Sequence, residues 1–211
     1  MAHLSDASSG CDVTVVWASG SATQTGAQLL RAEVGRVVGI AATEVRLSRS
    51  CRECGSSRHG RPVVLPMGEG PSPCVSLARA GAVVVVAVSE CGPVGVDIES
   101  LDAPRFAGFD DVALHEHEAA TTIEARALTW VRKESLLKAA GVGLNVDPRL
   151  VRLSHPDTPP RLVQWSAPEP PVRTVWMQDF EVRGHAACVT VLSDEAPRVT
   201  VRPAAPGVLP R

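Results

Sequence analysis

A chain of 211 residues can bury a real core, either as one large domain or as two small ones. A net charge of -2 removes nucleic acid and anionic membrane as general partners, and the longest apolar run is far too short to span a bilayer. Six cysteines, with no signal-peptide pattern in Met1 to Gly10, read as reduced thiols, and the expected address is the cytoplasm.

Cys11 to Trp17 sets Val13, Val15 and Trp17 against Thr14 and Val16, the alternation of a strand. Between Gln28 and Ile40, Leu29, Leu30, Val34, Val37 and Val38 recur at helical spacing and predict an amphipathic helix. Val45 to Ser48 suits a short strand.

Cys51-Arg52-Glu53-Cys54 is followed by Arg58-His59-Gly60-Arg61-Pro62. Two ordinary thiols are the leading account of the cysteine pair, because a closed zinc site wants four ligands and no second pair stands at finger-like spacing. Zinc with His59 as third ligand is the alternative, with thioredoxin-like redox chemistry behind it. Arg58, His59 and Arg61 offer donors to a phosphate, and Gly60 lets the backbone approach a ligand closely. The plain alternative is a solvated basic turn.

Pro66 to Pro73 is a loop. Beyond it the apolar run Ala82 to Val88 predicts a strand, and so does Val94-Gly95-Val96-Asp97-Ile98-Glu99. Strand alternation sends Asp97 and Glu99 to one face, Val96 and Ile98 to the other. Two neighbouring carboxylates repel unless a cation or proton lies between them. Phe106 and Phe109 fall in the next segment, either packed inside or forming a surface groove for a partner's helix. His115-Glu116-His117-Glu118 reads as a solvated helix start rather than a metal cluster, since residues two apart on a helix do not face one another. Thr121 then serves as N-cap, with Glu124 completing a capping box.

Trp130 to Ala140 is rich in strong helix formers, with Gly141 and Gly143 as the stop. Trp130, Val131, Glu134, Leu137 and Lys138 share one stripe, read as facing inward. Glu134 and Lys138 then need partners there: either each other, at i,i+4, or something brought from elsewhere in the fold. With Asp97 and Glu99, Glu134 makes a three-carboxylate oxygen set suited to Mg²⁺ far better than to zinc. After Leu144 the pattern turns strand-like at Leu150 to Leu153, Arg161 to Trp165, Val172 to Asp179 and His185 to Leu192. Pro197 to Arg211 is expected to fray.

Gly95-Val96-Asp97-Ile98-Glu99, then Trp130-x-x-Lys133-Glu134-Ser135-x-x-Lys138 and Gly141-x-Gly143-Leu144, resembles the signature pair of the 4′-phosphopantetheinyl transferases, most closely the larger, Sfp-type branch. The likeness runs from about Arg49 to about Pro197. It implies an α+β fold of two similar α/β subdomains related by a pseudo-twofold. They are expected at 1–101, holding the coenzyme A nucleotide contacts and the first acidic motif, and at 102–200, holding the catalytic helix, with 201–211 a flexible tail. It further implies a monomeric, Mg²⁺-dependent enzyme of secondary-metabolite biosynthesis. Such an enzyme moves the 4′-phosphopantetheine arm of coenzyme A to a serine of an acyl or peptidyl carrier protein and releases 3′,5′-adenosine bisphosphate. Asp97, Glu99 and Glu134 would hold the metal. Asp97, Glu134 and Lys138 would be the catalytic set, with Glu134 the best placed base. Arg58, His59, Arg61, Arg79, Lys133 and Lys138 would contact coenzyme A. Members commonly carry Ser-His where this chain has Ala78-Arg79, the clearest departure, so Arg79 keeps a cation there but no imidazole. The segment holding Phe106 and Phe109 is implied to help dock the carrier. The competing classes are a non-catalytic relative that binds coenzyme A or a carrier, and another Mg²⁺-dependent phosphoester hydrolase.

Overall fold

The computed structural model describes residues 11–19, 24–68 and 70–205. In chain order the elements are β1 (Asp12–Ser19), α1 (Gln24–Val38), β2 (Leu47–Ser50), β3 (Arg61–Val64), β4 (Cys74–Ala80), β5 (Val83–Ser89), β6 (Val94–Ser100), α2 (Phe109–Ala113), α3 (Ile123–Ala139), β7 (Val151–Leu153), β8 (Leu162–Trp165), β9 (Val175–Val182), β10 (His185–Leu192) and β11 (Arg198–Pro203). The protein is mixed α+β, and the strands and helices expected from periodicity are all present, with ends shifted by a few residues.

Two sheets carry the fold. One runs β11-β1-β5-β4 and the other β6-β10-β9, and two short hairpins, β2-β3 and β7-β8, flank them. β5 is buried on both faces, as its unbroken valine run requires. Val84, Val86 and Val88 pack under Leu29, Leu30 and Val34 of α1. Val83, Val85 and Ala87 meet Val94, Val96 and Ile98 of β6 and Val189 and Val191 of β10. The layers are therefore α1, first sheet, second sheet and α3, with an aliphatic core between the sheets. β6 presents Val94, Val96 and Ile98 to that core, so Gly95, Asp97 and Glu99 turn the other way, toward α3.

Three expectations are corrected. Residues 198–203 do not fray. They form β11, parallel to β1 with Asp12 opposite Arg198 and Trp17 opposite Pro203, and Arg202 reaches Glu33 of α1 at 2.6 Å. Hence β11 returns to the sheet that holds β1. The cysteines are not all free, because Cys11 and Cys91 form a disulfide, leaving Cys51, Cys54, Cys74 and Cys188 as thiols. The antiparallel register, with Val13 opposite Ser89, carries Cys11 and Cys91 past the strand ends to face one another. Finally, α3 is capped by Thr122 rather than Thr121. The Thr122 side chain accepts from Ala125 N at 3.1 Å, one residue too late for Glu124 to close a capping box.

The other end of α3 closes as its glycine predicts. Gly141 takes φ +73°, its N–H reaches Lys138 O at 3.0 Å, and Val142 N–H reaches Leu137 O at 3.1 Å. That pair of bonds is the Schellman cap. No helix among the described residues is long and apolar enough to cross a membrane.

Candidate active site

The site is built where α3 crosses the second sheet, and Gly95 sets the separation. A Cβ at Gly95 would lie 1.9 Å from Ser135 O, 2.5 Å from Ala139 N and 2.9 Å from Lys138 Cβ. Glycine in mid-strand thus lets the helix backbone rest on β6. Ser135 completes the seat with a 2.8 Å hydroxyl contact to Thr190, the residue opposite Gly95 on β10.

Two cationic side chains of α3 then reach down to one row of the sheet, Asp97–Cys188–Asp179. Lys138 Nζ donates to Asp97 Oδ1 at 2.6 Å and to Val96 O at 3.3 Å. Arg132, fully buried, grips both carboxylate oxygens of Asp179 and donates to the carbonyls of Ser154, His155, Pro156 and Thr158. Arg132 is a structural tie, holding the helix to β9 and to the loop after β7.

From Trp130 to Lys138, α3 is covered on nearly every side, and only Trp130, Glu134 and Lys138 stay half-exposed. The stripe therefore divides: Val131 and Leu137 are fully buried, as an inward stripe requires, while Trp130, Glu134 and Lys138 lie along its open edge. That edge is the partly open seam of the helix, where charge keeps access to water or an ion.

Burial raises the Asp97 carboxyl above its ordinary value, and Lys138 beside it only partly offsets that. Burial likewise raises Glu99, and the Asp97 charge adds to the effect. Glu134 is raised by burial first, with Asp97 and Glu99 contributing repulsion and Lys138 opposing it. The three acids and one ammonium therefore form one electrostatic cluster drawn from β6 and α3. Within it, Asp97 Oδ2 and Glu134 Oε1 are buried and have no hydrogen-bond partner. Buried, unsatisfied carboxylate oxygens are costly and call for a cation. An all-oxygen donor set fits a hard divalent ion such as Mg²⁺. With Lys138 seated on Asp97, the three carboxylates are not drawn as tightly as a closed ligand shell. Among the described residues, the trio whose ligand atoms all lie within 4.8 Å of one another is Cys51, Cys54 and His59.

Of the residues implied to contact coenzyme A, Arg61 comes to the Lys138 end of α3, where its Nη1 would lie 3.1 Å from a Cβ on Gly141. Arg58 and His59 stand exposed on the turn between β2 and β3, with His59 Nε2 3.3 Å from Cys54 Sγ. The N–H groups of Cys54 and Glu53 hold the Cys51 thiol below its ordinary range. Arg79 is exposed on β4, on the same side of the strand as Val75 and Leu77, which face α1. Lys133 has a different setting from the implied one. It is wholly buried and donates to Ala113 O at 2.7 Å and Pro148 O at 3.0 Å, with Glu118 Oε2 at 2.5 Å.

Glu118 is also the residue that the sequence placed in a solvated helix start. Instead its carboxylate is buried in a loop, where it takes Lys133 and the N–H groups of His115 and Leu153. The two phenylalanines differ in burial. Phe109 is core, edge-on to Trp130 at 6.3 Å, while Phe106 is about half-exposed and edge-on to Phe109 at 5.7 Å. A shallow recess of about 500 Å³ lies elsewhere, lined by the disulfide, Glu90, Arg173 and Asp194. It holds none of these groups.

An acidic strand thus faces a Lys/Glu helix edge across a glycine contact in an α+β fold, an arrangement able to take up a cation. Residues 93–190, which span β6 through nearly all of β10, match the family model of the 4′-phosphopantetheinyl transferase superfamily. No curated protein matches the chain.

Proposed function

We propose that the protein transfers 4′-phosphopantetheine from coenzyme A to a serine hydroxyl of an acyl or peptidyl carrier protein, as a monomeric, cytoplasmic, two-halved enzyme of the Sfp type. The observation that carries the reading is the pair of unpartnered buried carboxylate oxygens on Asp97 and Glu134, one from each matched motif and held around a single ammonium. The family match over both motifs supports the reaction class.

The serine oxygen displaces the bridging pyrophosphate oxygen in line at phosphorus. A new P–O bond forms as the old one breaks, and the electron pair leaves on 3′,5′-adenosine bisphosphate. Such chemistry needs positioning and charge neutralisation more than covalent help. Asp97, Glu99 and Glu134 would hold Mg²⁺, which supplies Lewis-acid neutralisation of the pyrophosphate when bound. Lys138, released from Asp97, donates to phosphate oxygens as a point charge. Glu134, half-exposed and raised in proton affinity, takes the serine proton. Arg61 sits near enough to the end of α3 to bind the nucleotide end of coenzyme A, with Arg58 of the same hairpin as a further cation. Lys133, enclosed by Glu118 and two carbonyls, fixes the helix.

Incubation with coenzyme A, Mg²⁺ and an apo carrier protein, read by mass spectrometry of the carrier, tests the assignment. The parent chain should load the carrier. Glu134→Gln and Asp97→Ala should nearly abolish loading while coenzyme A still binds. Loading at the parent rate by either variant would overturn their roles. Hydrolysis of coenzyme A without loading would assign the same site to a phosphoester hydrolase, and binding without turnover to a non-catalytic relative.

A further inference from the structure

We propose that Cys51, Cys54 and His59 form a zinc-binding site on the turn joining β2 and β3, separate from the carboxylate site on α3.

The turn is shaped to gather these ligands. Cys51 N–H bonds Ser56 O and Gly55 N–H bonds Cys51 O, both at 3.0 Å, and Gly55 takes φ +68°. This loop puts Cys54 beside Cys51.

His59 is brought back by the next residue. Gly60 takes φ +99° and lies so close to the end of β2 that a Cβ would fall 2.2 Å from Ser50 O, while Arg49 donates to Gly60 O at 3.0 Å. The result is that one atom from each of the three residues falls within 4.8 Å of the others.

The separation of Cys54 Sγ and His59 Nε2 is 3.3 Å. In tetrahedral zinc with ordinary Zn–S and Zn–N bonds, the corresponding edge is about 3.6 Å. The existing turn therefore needs only a small adjustment to close on an ion. Two thiolates and an imidazole select a borderline-soft ion, Zn²⁺ over Mg²⁺ or Ca²⁺. The fourth position, for which no ligand stands beside these three among the described residues, takes water.

The site also has mechanical use. β2 and β3 are four residues each and, among the described residues, pair with no other strand, and isolated short hairpins are marginal. A bound ion would pin the hairpin whose first β3 residue, Arg61, reaches the end of α3.

The test uses the full chain, purified under reducing conditions from zinc-supplemented medium. Metal is counted by plasma mass spectrometry, before and after a mild chelator. About one zinc per chain is expected, with Co²⁺ substitution producing a thiolate-to-cobalt charge-transfer band. Cys51→Ser with Cys54→Ser should remove the zinc and the band, and His59→Ala should weaken binding by at least about tenfold. These side chains lie at the surface, so the far-ultraviolet spectrum and main melting transition should persist and show that the variants fold. Substoichiometric zinc in the parent, or equal zinc in the double variant, would overturn the site. So would a Cys51–Cys54 disulfide forming equally fast with and without Zn²⁺, which marks a redox pair. Zinc content is read without transfer, so failure of the transferase reading leaves this result intact, and the reverse holds.

Discussion

Gly95→Ala is the sharpest test of how the site is assembled. A Cβ there would lie 1.9 Å from Ser135 O, against an ordinary contact distance of 3.4 Å and beyond. Its other near neighbours are also helix backbone or a helix Cβ, so no flexible side-chain end can swing away. The helix must retreat by about 1.5 Å to restore normal contact. That shift would stretch the 2.8 Å Ser135–Thr190 contact and the 2.6 Å Lys138–Asp97 pair beyond hydrogen-bond length. Overpacking of this kind costs about 1–3 kcal/mol, or roughly 3–10 °C in melting temperature for a chain of this size. Misplacing reacting groups by about 1 Å costs about a hundredfold in rate. Thermal unfolding followed by single-turnover carrier loading at saturating coenzyme A measures both. The expected variant is folded, modestly destabilised and slower by about two orders of magnitude in the chemical step. A variant that melts and turns over like the parent would refute the argument that glycine sets the helix-to-strand distance.

The remaining predictions address separate contacts. Phe109→Ala should lose about 3–5 kcal/mol by chemical denaturation, because the ring is core. Phe106→Ala should leave the melting temperature near the parent's while weakening carrier affinity in a binding titration, and unchanged affinity would remove Phe106 from the docking face. Arg132→Met should cost about 3–5 kcal/mol by stranding the Asp179 carboxylate and several carbonyls, with denaturant unfolding as the measure. The pH dependence follows from the raised affinities of Asp97, Glu99 and Glu134 for protons. A carboxyl with a folded pKa above its unfolded value contributes stability that is full below the unfolded value and lost as pH rises through the folded one. Metal-free protein should therefore lose stability on moving up from about pH 4 through the raised range. Mg²⁺ should recover it increasingly toward neutrality, as the ligands deprotonate. Melting curves with and without Mg²⁺ across that range check the sign, and a pH-independent Mg²⁺ effect would contradict it.

Much of the site could be read locally. Asp97 and Glu99 share a strand face because alternation has period two, and Glu134 and Lys138 share a helix edge because they are four residues apart. The glycine stop after α3 was equally legible, since Gly141 adopts the positive φ that the Schellman cap needs. Gly95 carried a usable signal too, a glycine inside an apolar strand, although its partner on α3 was beyond reach of that rule. The identical local logic did not find the pairing of Lys133, read as a coenzyme A contact, with Glu118, read as part of a solvated helix start 15 residues earlier. Each is buried because the other neutralises it, and no pattern within either segment reports a partner outside it.

By itself the sequence determined the elements, their buried and polar faces and the identity of the acidic and basic groups, since these follow from periods of 2 and 3.6 residues along one stretch of chain. Only the tertiary structure decided which edge of α3 stays open, that Arg132 reaches Asp179 and Lys133 reaches Glu118, that Cys11 meets Cys91, and that β11 pairs with β1. Those outcomes depend on register and on the approach of segments far apart in the chain, where a shift of a single residue exchanges the buried and exposed faces.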